Sequence, residues 1–217
     1  MKIKICGLTR RRDVEICEEL GVDILGFVVE YPREVPWNLT RRQAKELIDA
    51  AIRPTCIVTG GVPEMVIALA KEIKPDMLQL HYKETAAQTA GIAGELKKSG
   101  IKTIKAVYDD AEIEVLCRSD IYAILVDSRT AENAATNIKE VDVDLFNRIK
   151  KISNKPLIIA GGIIPENVAD IIAATKADSI DVMTGVELSP GIKDRIKIEA
   201  LVREVARCGR MKIRNDI

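Results

Sequence analysis

A closed (β/α)8 barrel, an α/β fold of the TIM-barrel kind, is predicted by three features of this sequence. Eight short β-branched or apolar runs occur, an amphipathic stretch follows each, and no G-x-G-x-x-G loop follows the first. An open doubly wound sheet would carry fewer strands and a glycine-rich loop after the first of them. At 217 residues and 47% apolar content, the chain can bury one substantial core and is short for two. Residues 1–217 are therefore read as one domain.

The runs follow in order. Residues 3–6 alternate isoleucine and lysine and end on Cys6, just before Gly7. Residues 24–29 (ILGFVV) and 55–59 (TCIVT) are apolar or β-branched nearly throughout, as strands buried on both faces read. Residues 77–81 (MLQLH), 103–107 (TIKAV) and 123–127 (AILVD) come next, then 157–160 (LIIA) and 179–183 (SIDVM), the last two leading into glycines. Helices are expected to begin near Arg11, Thr40, Pro63, Ala86, Ala111, Val143, Pro165 and Lys193. Thr40 with Gln43 has the spacing of a capping box, and Pro63 and Pro165 suit a first helical turn, where the missing N–H costs nothing. "TGGVPEMV" after the third run echoes "AGGIIPENV" after the seventh, four units later, as a duplicated half-barrel would. The tail "CGRMKIRNDI" reads as frayed and basic.

Lysine plus arginine and aspartate plus glutamate each total 33, so the formal net charge is zero and no long run of one sign occurs. Long-range attraction to nucleic acid or to an anionic membrane is not expected. The five cysteines (Cys6, Cys17, Cys56, Cys117, Cys208) form no C-x-x-C pair, and one histidine does not complete a metal set with them, so no metal site is expected. With free thiols, no apolar leader and no membrane-length span, a cytoplasmic protein is expected, a monomer or a homodimer.

In such a barrel the C-terminal ends of the strands share one mouth, so the run ends form a list of candidates. Cys6 ends the first, His81 the fourth, and Asp127 the sixth; Gly161 and Gly162 follow the seventh, and Asp181 through Gly185 close the eighth. Small residues where a strand meets a helix let backbone N–H groups face an anion, and the loops after strands seven and eight commonly hold phosphate. Cys6 has two readings, a buried small hydrophobe or a thiolate base that needs positive potential nearby. Asp127 also has two, a turn former or a general acid kept protonated by an apolar mouth. Strands six and one lie three steps apart on an eight-membered ring, so a sugar between Cys6 and Asp127 would meet one group from each side. His81 is read as an orienting residue and Trp37 as packing at a helix start, with stacking on an aromatic ligand as its second reading.

"KICGLT" at 4–9, "LQLH" at 78–81, "LVD" at 125–127, "AGGIIPENV" at 160–168 and "DVMTGVELSPGIKD" at 181–194 together resemble the phosphoribosylanthranilate isomerases across nearly the whole chain. The resemblance implies a single-barrel catalytic domain of tryptophan biosynthesis that needs no cofactor. Its substrate would be N-(5-phosphoribosyl)anthranilate, converted by an Amadori rearrangement to 1-(2-carboxyphenylamino)-1-deoxyribulose 5-phosphate. By the same likeness Cys6 is the general base and Asp127 the general acid. Gly161, Gly162, Thr184 and Gly185 bind phosphate, and Gln79, His81 and Asp181 line the pocket. Two loops depart from the family. "GFVVEYPREVPWNLT" lacks the second Phe of the G-F-x-F motif and puts Arg33, the implied carboxylate partner, only seven residues past Gly26, with Trp37 beyond it. After strand six a glycine-rich loop is replaced by "SRTAENAATNIKEVDVDLF", where Asn133 and Asn137 are the residues that tolerate left-handed backbone. Arg33, Arg129 and Lys105 are the candidate cations for an anthranilate carboxylate. The altered loops leave two alternatives: a related barrel isomerase acting on another amino-sugar phosphate, and a non-catalytic barrel that binds a phosphate ligand.

Overall fold

The computed structural model describes residues 1–128 and 141–215. Eight parallel strands close into a ring: β1 (Lys2–Ile5), β2 (Ile24–Val28), β3 (Thr55–Thr59), β4 (Met77–Leu80), β5 (Lys102–Val107), β6 (Ala123–Asp127), β7 (Leu157–Ala160) and β8 (Ser179–Val182). β1 pairs with both β2 and β8. Eight helices cover the ring: α1 (Arg11–Glu19), α2 (Arg41–Ile48), α3 (Pro63–Ile73), α4 (Ala86–Lys97), α5 (Ile113–Cys117), α6 (Val143–Ile152), α7 (Val168–Thr175) and α8 (Arg195–Asn215). The expected (β/α)8 barrel is the observed fold, and no described helix is long and apolar enough to cross a membrane.

Strand alternation divides the apolar residues into two cores. Ile3, Ile5, Leu25, Phe27, Leu78, Leu80, Ile180 and Val182 belong to the large cluster packed under the helices. Ile24, Cys56, Met77, Ile104, Ala106, Leu125, Ile158 and Ala160 fill the barrel's inside. A third cluster at the mouth joins Cys6, Val28, Trp37 and Val58. At the opposite end Asp23, Asp76 and Asp178, each just ahead of its strand, accept the backbone N–H groups of Ile3, Thr55 and Leu157 at 2.8, 2.7 and 2.9 Å. That satisfies donors at the starts of β1, β3 and β7 that would otherwise be stranded at the barrel floor.

The boundaries differ from expectation where side chains cap the backbone. Thr40 and Gln43 do form a capping box ahead of α2, and Pro63 does open α3. Pro165 does not open α7. Asn167 accepts from the Ile164 N–H and donates to the Gly162 carbonyl, both at 2.9 Å, which holds 162–167 as a turn and delays the helix to Val168. Asp109 accepts the Ala111 N–H at 3.0 Å, so α5 begins at Ile113 rather than Ala111. Lys193 belongs to an unforeseen hairpin, β9 (Glu187–Ser189) with β10 (Ile192–Lys193), and α8 starts only after Asp194 accepts the Ile196 N–H at 2.8 Å. The tail expected to fray continues α8 to Asn215. Cys6, Val29, His81 and Met183, expected inside strands, each stand just past a strand end. Arg129, Asn133 and Asn137 lie outside the described residues.

Candidate active site

The strand ends bring Cys6, Gln79, His81, Asp127 and Asp181 around one pocket at the mouth, walled on the β2–β3 side by Val28, Tyr31, Val35, Trp37 and Val58. Cys6 is seated by its own N–H, which donates to the Val182 carbonyl at 2.9 Å. It is only 3% exposed, and Gly26 on β2 leaves the room its sulfur occupies. Burial pushes the Cys6 thiol up, while the Lys4 and Lys193 ammonium groups pull it down and Asp181 opposes them.

Asp127, 2% exposed, ends β6 across the pocket. His81 Nε2 stands 3.4 Å from its Oδ2. Gln79 Nε2 lies 2.7 Å from His81 Nδ1, so with the amide donating to Nδ1 the imidazole turns its Nε2–H to the carboxylate. Gln79 thus bonds the imidazole, and the imidazole stands beside the Asp127 carboxylate. Gln79 Oε1 is buried with no partner among the described residues. The backbone carbonyl of His81 accepts from Tyr31 at 2.8 Å and from Tyr108 at 3.5 Å, and Tyr31 meets Tyr82 edge-on. Burial raises the Tyr31 phenol to about 12, so it stays a donor at neutral pH.

Glycine is required twice at the β7 and β8 ends. A Cβ on Gly161 would collide with the Ser128 hydroxyl and sit 2.8 Å from Asp127 Oδ1, and its φ of +90° disfavours any side chain. A Cβ on Gly185 would overlap the Ile163 carbonyl oxygen. Gly162 also has positive φ, and Thr184 opens a 3₁₀ turn that ends at Val186. These four residues sit in the two loops beside the pocket rather than on its described lining. Arg33 is half-buried with its guanidinium 5.9 Å from the Tyr82 ring centre, also off that lining. Lys105 is excluded as a carboxylate partner. It alternates with the inward Ile104 and Ala106, so it faces the helices, where Glu84 Oε2 holds it at 3.0 Å.

Sequence reasoning missed Lys4 and Glu187. Lys4 is fully buried inside the barrel, and Asp181 Oδ1 and Oδ2 accept from its Nζ at 2.9 and 3.0 Å. Burial opposes that charge, but Asp181, Cys6 and Cys56 together more than offset it and Lys4 titrates above the ordinary lysine range. The clue was present in "KIKIC", since Lys4 shares a face with Cys6. Trp37 both packs and lines the pocket: its Nε1–H donates to Glu187 Oε1 at 2.7 Å, and the same oxygen accepts from Lys193 at 2.8 Å. Among the described residues no group of His, Cys, Asp and Glu is placed to hold a metal.

The family model for N-(5'-phosphoribosyl)anthranilate (PRA) isomerase matches residues 3–204. The chain belongs to that family. An N-(5'-phosphoribosyl)anthranilate isomerase of Pseudomonas fluorescens is 34% identical, covering 94% of this chain and 98% of its own. The solved structure of the phosphoribosyl anthranilate isomerase of Thermotoga maritima superposes with a TM-score of 0.80 at 26% identity, covering 95% of this chain and 99% of that one. Another solved isomerase, in complex with reduced 1-(o-carboxyphenylamino)-1-deoxyribulose 5-phosphate, gives 0.77 at 26% identity over 95% and 99% of the two chains. Membership makes this chain an isomerase, an intramolecular oxidoreductase of tryptophan biosynthesis.

Proposed function

We propose that residues 1–217 form one catalytic domain, in which Cys6 and Asp127 carry the protons of the Amadori rearrangement of N-(5'-phosphoribosyl)anthranilate. The observation that carries this reading is that the two groups face one pocket from strands three steps apart on the ring. Asp127 gives a proton to the ribose ring oxygen as the C1–O bond breaks and the nitrogen lone pair closes a Schiff base. Cys6, as thiolate, then takes the proton from C2, and the electron pair left there forms the enolamine, which tautomerises to the ketone. His81 and Gln79 hold the acid in line, and the unpartnered Gln79 Oε1 is free to accept from a sugar hydroxyl.

The phosphate is placed at Gly161, Gly162, Thr184 and Gly185, where side-chain-free backbone lets an anion approach. A ligand with a 5-phosphate and an aromatic ring is bound by a solved relative. Here the ring is assigned to the apolar wall of Val28, Val35 and Trp37, and its carboxylate to Arg33. The direct assay follows the fluorescence of the anthranilate substrate on addition of pure protein. A fall in signal is expected, and a flat trace from folded protein overturns the reading. Cys6→Ser and Asp127→Asn are each expected to lower kcat by about 10²–10⁴-fold with KM little changed.

A further inference from the structure

A thiolate inside an apolar barrel needs a cation, and the lumen offers one directly beneath Cys6. Lys4 is fully buried, two residues before Cys6 on the same strand and therefore on the same face. Its Cα partner on β8 is Asp181, whose two oxygens take two of the three ammonium hydrogens at 2.9 and 3.0 Å. Around this pair the lumen is apolar, with Cys56, Ile24 and Met77 below and Val28 and Val58 beside Cys6.

We propose that Lys4 is a positioning residue for the Cys6 base, its ammonium clamped by Asp181 so that a fixed positive charge lies where the sulfur must lose its proton. The inference rests on the reading of Cys6 as base, and it adds what makes that base usable. Every charged or titratable group facing Cys6 enters the account. On β1 there is Lys4, on β8 Asp181, on β10 Lys193 and on β3 Cys56; Asp127, His81 and the Tyr31 phenol share the pocket with it. Of the two cations, Lys193 is drawn away by Glu187 at 2.8 Å and by the Met183 carbonyl at 3.1 Å. Lys4 has the stronger action on the sulfur, and it outweighs the opposing Asp181. The clamp has a second use, since a long flexible ammonium without it would be free to swing toward the substrate.

The test titrates Cys6 without substrate. Iodoacetamide alkylation is followed against pH, with peptide mass spectrometry resolving Cys6 from the more accessible Cys117 and Cys208. Two variants are compared with the parent: Lys4→Met, and Lys4→Met combined with Asp181→Asn. The double variant leaves no unpaired buried carboxylate, so it keeps the test available if the single one fails to fold. In Lys4→Met the Cys6 midpoint is expected to rise by about one unit, slowing alkylation at a fixed pH below it about tenfold, and in the double variant, which also loses the opposing Asp181 charge, to rise by less. In Lys4→Met the rising limb of kcat/KM against pH should move up by the same amount, with activity recovering at alkaline pH, which a merely structural role for Lys4 would not produce. A Cys6 midpoint that stays in place or falls in the folded double variant overturns the inference. Full turnover by Cys6→Ser would instead overturn the base reading, so the two failures are told apart.

Discussion

Gly161 and Gly185 are each confined by an oxygen, but by oxygens of different consequence. The atom against Gly185 is the backbone carbonyl of Ile163, which cannot rotate away. An alanine there must push the β7 and β8 loops apart, at a cost of about 1–3 kcal/mol. The atoms against Gly161 are the Ser128 hydroxyl, Asp127 Oδ1 and the Ser128 backbone nitrogen, so a methyl group there strains the backbone at φ +90° and also displaces the Asp127 carboxylate. Gly185→Ala is accordingly expected to lower the melting temperature and raise KM about tenfold or more through the phosphate loops. Gly161→Ala is expected to lower kcat by a larger factor than it raises KM. Steady-state kinetics and thermal melts of the two variants check both, and interchanged effects would count against the assigned roles. The glycines were legible in the sequence because small residues stand where an apolar run ends, Gly-Gly after the seventh run and Thr-Gly after the eighth. The reason each must lack a side chain was not, because it lies in the neighbour each one meets across the fold.

Among the elements, the β9–β10 hairpin ties the last loop of the barrel to the second. Glu187 receives the indole N–H of Trp37 and the Lys193 ammonium on one oxygen, and Lys193 in turn offers its backbone N–H to Asp13 of α1 at 3.2 Å. Trp37 is the chain's single tryptophan and stands on the pocket wall, so its emission reports on whatever fills that wall. Product binding is expected to quench it, whereas inorganic phosphate, on its proposed seat at the β7–β8 loops, should leave it nearly unchanged. An unaltered emission at saturating product would place the aromatic ring elsewhere. Glu187→Gln should loosen the tether, weaken the quench and cost a few kcal/mol, since Lys193 then stays buried beside a neutral amide. None of this hairpin was foreseen. Its strands have three and two residues, too short for periodicity to register, and "ELSPGIK" reads as loop. The long elements fared better because eight β-branched runs and a T-x-x-Q box announce themselves locally. The late start of α7 depends on how the Asn167 side chain bonds the turn, a choice that composition leaves open.

For the whole molecule, the barrel's two-sided burial explains both what the sequence showed and what it concealed. Lys4 in "KIKIC" and Asp181 in "SIDV" look like the solvent face of half-exposed strands, but the isoleucines and valine face the helices and the polar residues face the lumen. Their pairing across 177 positions depends on ring closure, which no local pattern encodes. Burying titratable groups on both faces also sets how stability depends on pH. Burial lifts the thiols of Cys17 and Cys56 from 9.0 to about 12 and the Tyr31 phenol from 10.0 to about 12, and it lifts Cys6 as well. These groups keep their protons in the folded chain while the unfolded chain releases them, so their stabilising effect is complete below about pH 9 and declines as pH climbs toward 12. Lys4, raised by Asp181, acts in the same direction above the ordinary lysine value. By about pH 10.5 each of the two deeply shifted cysteines has lost on the order of 2 kcal/mol. On the acidic side Glu30, Glu95 and Asp120 are lowered mainly by hydrogen bonds to exposed lysine and arginine partners that solvent screens, so these three add little. Thermal melts in reductant are therefore expected to fall steeply between about pH 9 and 11. Cys56→Ala, which removes a titrating group from the lumen, should flatten the alkaline fall, and an unchanged slope in that variant would contradict the burial account.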